Sequence, residues 1–279
     1  MRTRIMAVAI AALAAVLALS ATPAFAAPLV KPAQFYLALG DSLAAGFQPG
    51  QGDNKTGGYV GRVWHAEYAL VPHTALVNEA CSGETSTTMI NGGVCTYDHG
   101  SQLDEAVAFL RAHHNFTTLI TIDIGANDVD QCVVGGVIDF PCVQRGIATM
   151  QQNLPTIYSS LRAVAPNAKI IAVNYYDPFL AAWLQGTPEG RSTAKASVSL
   201  AGSINNIVAG AANSVSGVVA DVATTFKTTD FTRILDQPFG HIPVNVAKIC
   251  QWTHMCTEGD IHANDGGYAA IGRTVIPLL

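Results

Sequence analysis

The sequence predicts an α/β fold: a three-layer α/β/α sandwich built on a five-stranded parallel sheet. Two observations predict it. Five short runs are apolar on both faces, as strands covered on both sides of a sheet must be. Helical stretches separate them, which is the order of doubly wound parallel sheets. The chain has 279 residues, 49% of them hydrophobic and 13% charged. That is enough apolar matter for a sizeable core, and it excludes a disordered chain. A formal charge of −5 without a Lys/Arg run speaks against nucleic acid or an anionic membrane surface as partner.

The elements follow in order. Phe35–Leu39 is a short buried strand stopped by Gly40. Tyr59–Tyr68 is helical, and Ala75–Val77 is a second, weaker strand. Leu103, Val107 and Leu110 fall near helical spacing within 103–112. Residues 118–124 alternate β-branched and apolar side chains up to Gly125 and form the third strand. Residues 143–164 make a long amphipathic helix that Pro155 should kink or split. Lys169–Val173 is the fourth strand, 198–212 a helix weakened by Gly202 and Gly210, and Val218–Asp221 the fifth strand. A helix over 266–276 ends at Pro277. No internal repeat or linker is visible, so one domain over 27–279 is expected. The loops at 40–58, 78–101, 125–142 and 222–263 are long, and long loops in compact domains are usually functional.

Residues 1–26 read as a secretory signal peptide. Arg2 and Arg4 precede an apolar run from Ile5 to Leu19, and Ala24-Phe25-Ala26 is a small-x-small cleavage site. The run is short for a membrane span, and no later segment resembles one, so a secreted, extracellular chain without an integral membrane span is expected. The six cysteines agree with export. They form three local couples, and the expected disulfides are Cys81–Cys95, Cys132–Cys142 and Cys250–Cys256, each in a stretch that reads as loop. Zinc on Cys250, His254 and Cys256 is the rival, but no fourth ligand lies nearby. No metal or other cofactor is expected, and the chain is expected to be a monomer.

Chemistry belongs at the carboxyl ends of parallel strands. There the chain places Gly40-Asp41-Ser42-Leu43, then Ala80-Cys81-Ser82-Gly83-Glu84-Thr85, then Gly125-Ala126-Asn127-Asp128, and near the end Gly259-Asp260-Ile261-His262-Ala263-Asn264. A hydroxyl, a glycine, an amide and an imidazole are the set that acyl transfer needs. Singly, each has a plainer account as a helix cap, a turn or a loop histidine. A Gly-x-Ser-x-Gly elbow of the α/β-hydrolase type is absent, because position 44 is Ala.

The four blocks in this order resemble the SGNH, or GDSL, hydrolase family. The resemblance runs from about Phe35 to the C-terminus, and the wording around Ser42 and Gly83 is similar to its secreted actinobacterial lipase/esterase branch. It implies a flavodoxin-like sandwich, with Ser42 as nucleophile and His262 as general base. It also implies an oxyanion hole from the Ser42 and Gly83 N–H groups and the Asn127 amide. One departure stands out. The family usually places Asp three residues before the His, where this chain has Gly259. Asp260, two before, is the candidate third member. A backbone carbonyl near Gly259 is the slightly favoured alternative, with Glu258 a weaker one. The implied activity is cleavage of carboxylic esters, small-molecule or lipid, through an acyl-enzyme. A carbohydrate or cell-wall O-deacetylase is the alternative, and a non-catalytic binding module the second.

Other residues carry two readings. Asp123, Asp128 and Asp130 suggest calcium but lack the spacing of a calcium loop, so a solvated turn is expected. Trp183, Trp252, Tyr175, Tyr176 and Phe179 are candidates for an acyl pocket or for the core.

Overall fold

The computed structural model describes residues 34–134 and 137–279. The expected signal peptide at 1–26 lies outside the described residues. In chain order the elements are β1 (Gln34–Gly40), α1 (Gly58–Leu70), β2 (Thr74–Asn78), α2 (Ser86–Asn91), α3 (Gln102–His113) and β3 (Thr117–Asp123). A small antiparallel pair, β4 (Val133–Val134) and β5 (Val137–Ile138), precedes α4 (Phe140–Val164). Then come β6 (Lys169–Val173), a 3-10 segment Pro178–Gln185, α5 (Pro188–Ser214), β7 (Val218–Ala220) and α6 (Val222–Thr225). A second hairpin, β8 (Arg233–Asp236) and β9 (Gly240–Pro243), leads into α7 (Val244–Trp252), α8 (Met255–Glu258) and α9 (Asp265–Val275).

The main sheet has the order β2-β1-β3-β6-β7, and every pairing is parallel. This is the flavodoxin-like order, whose ligand crevice lies where the connections reverse, between β1 and β3. All five expected strands are present. Tyr36 to Leu39 are fully buried, as are Ile120 and Ile122 of β3 and Ile171 to Val173 of β6. Helix α1 packs on α9, while α4 packs against α3 and α5.

Local chemistry fixes the helix starts. Side chains of Ser101, Asp139, Thr187 and Asn264 accept the N–H of Asp104, Cys142, Gly190 and Gly267 at the starts of α3, α4, α5 and α9. Pro155 does not split α4, which runs unbroken through it. Leu154, Ile157, Tyr158 and Leu161 are fully buried on the same stretch, and their packing outweighs the one backbone bond that proline removes. Helix α5 starts ten residues before the expected Val198, because Thr187 caps it and Pro188 opens it. The expected loop 222–263 is filled by α6, the second hairpin, α7 and α8.

The disulfides are Cys81–Cys95, Cys132–Cys142 and Cys250–Cys256. The loop reading of their surroundings needs correction: Cys142 lies in the first turn of α4, Cys250 in α7 and Cys256 in α8. With Cys250 and Cys256 bonded to each other, no zinc site remains at His254.

Candidate active site

Strand β1 delivers Ser42 to the β1/β3 crevice. Gly40 has φ +131°, and a Cβ there would lie 2.0 Å from the Asp123 carbonyl oxygen, so no other residue fits. The next residue, Asp41, donates its N–H to the Asp123 carbonyl at 3.0 Å and lies within 3.1 Å of its Oδ1. Its own carboxylate accepts the Leu43 N–H at 3.0 Å and the Tyr175 hydroxyl at 2.7 Å. Burial pushes Asp41 up to about 6. The turn carrying Ser42 is thus held from both sides of the sheet crevice.

Ser42 is 8% exposed. Its Oγ–H donates to His262 Nε2 at 2.8 Å, and His262 Nδ1–H donates to Asp260 Oδ1 at 2.7 Å. The favoured backbone carbonyl is therefore corrected: the ring's partner is Asp260. Gly259, at φ +71°, closes α8, and the chain then turns so that Asp260 Oδ1 also accepts the His262 backbone N–H at 2.8 Å. That local turn brings a carboxylate only two residues away round to the imidazole. Glu258 is engaged elsewhere, with His254 Nδ1 at 2.9 Å.

The histidine loop is anchored along its length. His254 N–H donates to the His262 carbonyl at 3.0 Å, Gln48 Nε2 to that of Ala263 at 3.0 Å, and the Tyr176 hydroxyl to that of Ile261 at 2.7 Å. The Phe47 ring packs against the imidazole at 4.4 Å between centroids.

Gly83 follows β2 with φ +85°, and a Cβ there would touch only Val94 Cγ1 at 3.8 Å. Glycine is required by backbone conformation at this position, not by crowding. The loop is braced by Cys81–Cys95, by Cys81 N–H on the Gly40 carbonyl at 3.0 Å, and by a hydrogen bond from Ser82 Oγ to Asp53. Asn127 Nδ2 donates one hydrogen to the carbonyl of Glu84 at 2.9 Å, which ties the third block to the second and leaves the other amide hydrogen for a ligand. Ser42, Asn127 and His262 line one cavity; Gly83 borders it through that Asn127–Glu84 link rather than as part of its wall.

Gln102 was not foreseen. It opens α3, accepts the Gly40 N–H at 2.7 Å, and donates to the Gly40 carbonyl at 3.0 Å and to Glu84 Oε2 at 3.1 Å. It clamps the serine turn to the Gly83 loop. A lone Gln in a helix's first turn carries no sequence signal.

The solvated-turn reading is corrected for Asp123 and Asp128, whereas Asp130 stays partly open. Asp123 is fully buried and Asp128 is 7% exposed. Asp128 accepts the Ser86 N–H at 2.8 Å and its hydroxyl at 2.7 Å. No cluster of metal-ligating groups occurs among the described residues. Of the aromatic candidates, Tyr175, Tyr176 and Phe179 line the cavity. Trp183 packs on Phe231 and Trp252 on Phe226.

The fold and the site together define a class: a flavodoxin-like α/β/α sandwich with a hydroxyl–imidazole–carboxylate chain at its β1/β3 crevice. Residues 38–270 match the family model of the GDSL-like lipase/acylhydrolase family. The chain belongs to that family of ester hydrolases. None of the curated proteins matches it in sequence. A candidate GDSL-like lipase from Parabacteroides merdae shares its fold at TM-score 0.57 and 13% identity, covering 88% of this chain and 95% of that one. The lipase Lip_vut3 from a goat rumen metagenome does so at TM-score 0.55 and 16% identity, covering 87% and 95%.

Proposed function

We propose that the protein is a secreted serine hydrolase of carboxylic esters, of lipase or esterase type, folded as one domain over 27–279. The observation that carries this reading is the chain Ser42 Oγ–His262–Asp260, with links of 2.8 and 2.7 Å, opening on a cavity walled by Val129, Val143, Leu200 and Ile204. Asp260 accepts from Nδ1–H, so Nε2 carries the lone pair that takes the serine proton. Ser42 Oγ attacks the ester carbonyl carbon, and the carbonyl electron pair moves to oxygen. The N–H groups of Ser42 and Gly83 and the Asn127 amide receive that oxyanion. Collapse expels the alcohol, which takes its proton from His262, and water repeats the sequence on the acyl-enzyme. An apolar wall suits an acyl chain better than a carbohydrate, which sets lipase or esterase action ahead of O-deacetylation. Export is supported by the three disulfides, and no helix among the described residues is long and apolar enough to cross a membrane.

The test is labelling with a fluorophosphonate, followed by peptide mapping, alongside turnover of nitrophenyl esters of increasing acyl length. Label on Ser42 and its loss in Ser42→Ala are expected, with the variant retaining less than about 1% of activity. Label elsewhere, or activity retained in the variant, would remove Ser42 from the mechanism. A preference confined to acetyl esters would favour the deacetylase.

A further inference from the structure

Beside the hydroxyl–imidazole chain, the described residues of the cavity wall include three carboxyl groups, Asp41, Asp130 and Asp177, and neither Lys nor Arg. Two of them are satisfied. Asp41 accepts from Leu43 N–H and the Tyr175 hydroxyl, and Asp177 accepts from the Ser197 hydroxyl at 2.7 Å and the Phe179 N–H at 3.0 Å. Asp130 differs. Among the described residues no hydrogen bond or ion pair reaches its carboxyl, and its side chain is partly open on the cavity side. It belongs to the walls of two adjoining cavities, together with Val133, Phe179 and Ile261. Asp130 is thus the carboxyl of this wall whose oxygens remain open to solvent and free to meet the charge of a ligand.

The rest of the wall limits what that partner is. Tyr175, Tyr176 and Phe179 present aromatic surface, and most of the remaining lining is aliphatic. A metal ion would need several convergent free oxygens, and the carboxylates of Asp41 and Asp177 are already committed. A primary ammonium would lose strong hydration against an apolar wall. An alkylated ammonium spreads its charge over methyl groups, and is the cation that aromatic faces with one carboxylate hold best. Resting on the esterase reading, we infer that the end of the cavity formed by Asp130, Val133, Phe179 and Ile261, apart from the acyl-lining Val129, Val143, Leu200 and Ile204, is a subsite for a quaternary or methylated ammonium group on the ester substrate, with Asp130 as its counter-ion.

Electrostatics point the same way. Burial, with Asp41 and Asp177 nearby, pushes Asp130 up to about 8, and burial pushes Asp177 up to about 7. Burial penalises the charged form of both groups, and an organic cation seated beside Asp130 would stabilise its carboxylate and draw its proton affinity down again.

The experiment titrates the full exported chain calorimetrically with tetramethylammonium chloride above pH 8, where Asp130 is ionised, against sodium chloride of equal ionic strength. The same salts are tested as inhibitors of neutral nitrophenyl ester hydrolysis. Saturable binding of tetramethylammonium, competitive with the ester and absent with sodium, is expected. Asp130→Asn should weaken it about tenfold or more, and Phe179→Leu should weaken it independently through the lost ring. No saturable binding, or equal affinity in both variants with melting temperatures near wild type, would overturn the subsite. Binding by a wild-type protein that hydrolyses no ester would leave the subsite standing and remove the esterase reading instead.

Discussion

Replacing Asp260 with Asn separates the charge of the third residue from its geometry. In the structure Asp260 Oδ1 accepts two hydrogens, from His262 Nδ1 at 2.7 Å and from the His262 backbone N–H at 2.8 Å. An asparagine oxygen can accept both, and the backbone N–H holds that oxygen rather than the NH2 group toward the ring. The tautomer with a free Nε2 is therefore retained, and what is lost is the attraction between carboxylate and imidazolium in the transition state. At a charge separation of about 4 Å that attraction is about 4 kcal/mol at an effective dielectric of 20 and about 1 kcal/mol in bulk water. The two side chains are 18% and 31% exposed, so a value of about 2.5 kcal/mol applies, or about a hundredfold in kcat. This is less than the roughly 10⁴-fold loss seen when the equivalent change in a buried serine-protease triad reverses the tautomer. The assay is steady-state hydrolysis of a nitrophenyl ester, with folding checked by thermal melting and active enzyme counted by phosphonate titration. A loss below about tenfold in folded protein would refute the assignment of Asp260 as the charge that orients and stabilises His262. A large loss for Glu258→Gln would refute it from the other side.

Further outcomes follow from the same contacts. Asn127→Ala should lower kcat by about 10²–10³-fold with a much smaller change in KM, because the free amide hydrogen is needed when charge appears on the substrate oxygen; steady-state kinetics showing a KM effect alone would demote Asn127 to substrate binding. Intact-mass analysis of the oxidised protein should fall six hydrogens short of the reduced chain, with peptides mapping to the three couples found here; a free thiol at any of them would contradict the pairing. Asp177 binds its proton more tightly folded than unfolded, pushed from the usual 3.8 up to about 7 by burial. It should therefore lower stability progressively as pH rises from about 4 to 7, by a few kcal/mol at most. Asp177→Asn removes that slope, since the amide can donate to Ser197 Oγ while the Ser197 hydroxyl still donates to the Ala194 carbonyl; melting temperatures of the two proteins should diverge with rising pH, and parallel curves would sink the argument.

What the sequence determined by itself was everything carried by local pattern. A strand buried on both faces must be apolar at every position, so Tyr36–Leu39, Ile120–Ile122 and Ile170–Val173 announced the sheet, and their alternation with helices fixed the doubly wound order. The four polar blocks after the strands were legible because a parallel sheet puts such loops on one edge whatever the details. Other features depended on contacts between residues far apart in the chain. Nothing local says that Gln102 clamps Gly40 sixty-two positions away, or that Asp128 anchors Ser86 rather than facing water. The Asp260 turn was undecided for a related reason: the sequence spacing was unusual, and whether two residues suffice depends on the backbone after Gly259. Asp130 in the cavity is the furthest case, since an aspartate in a loop looks solvated until the hairpin, α5 and the 3-10 segment close around it. Pattern within a segment is a property of the chain, whereas burial of a polar group is decided by what the rest of the fold places against it.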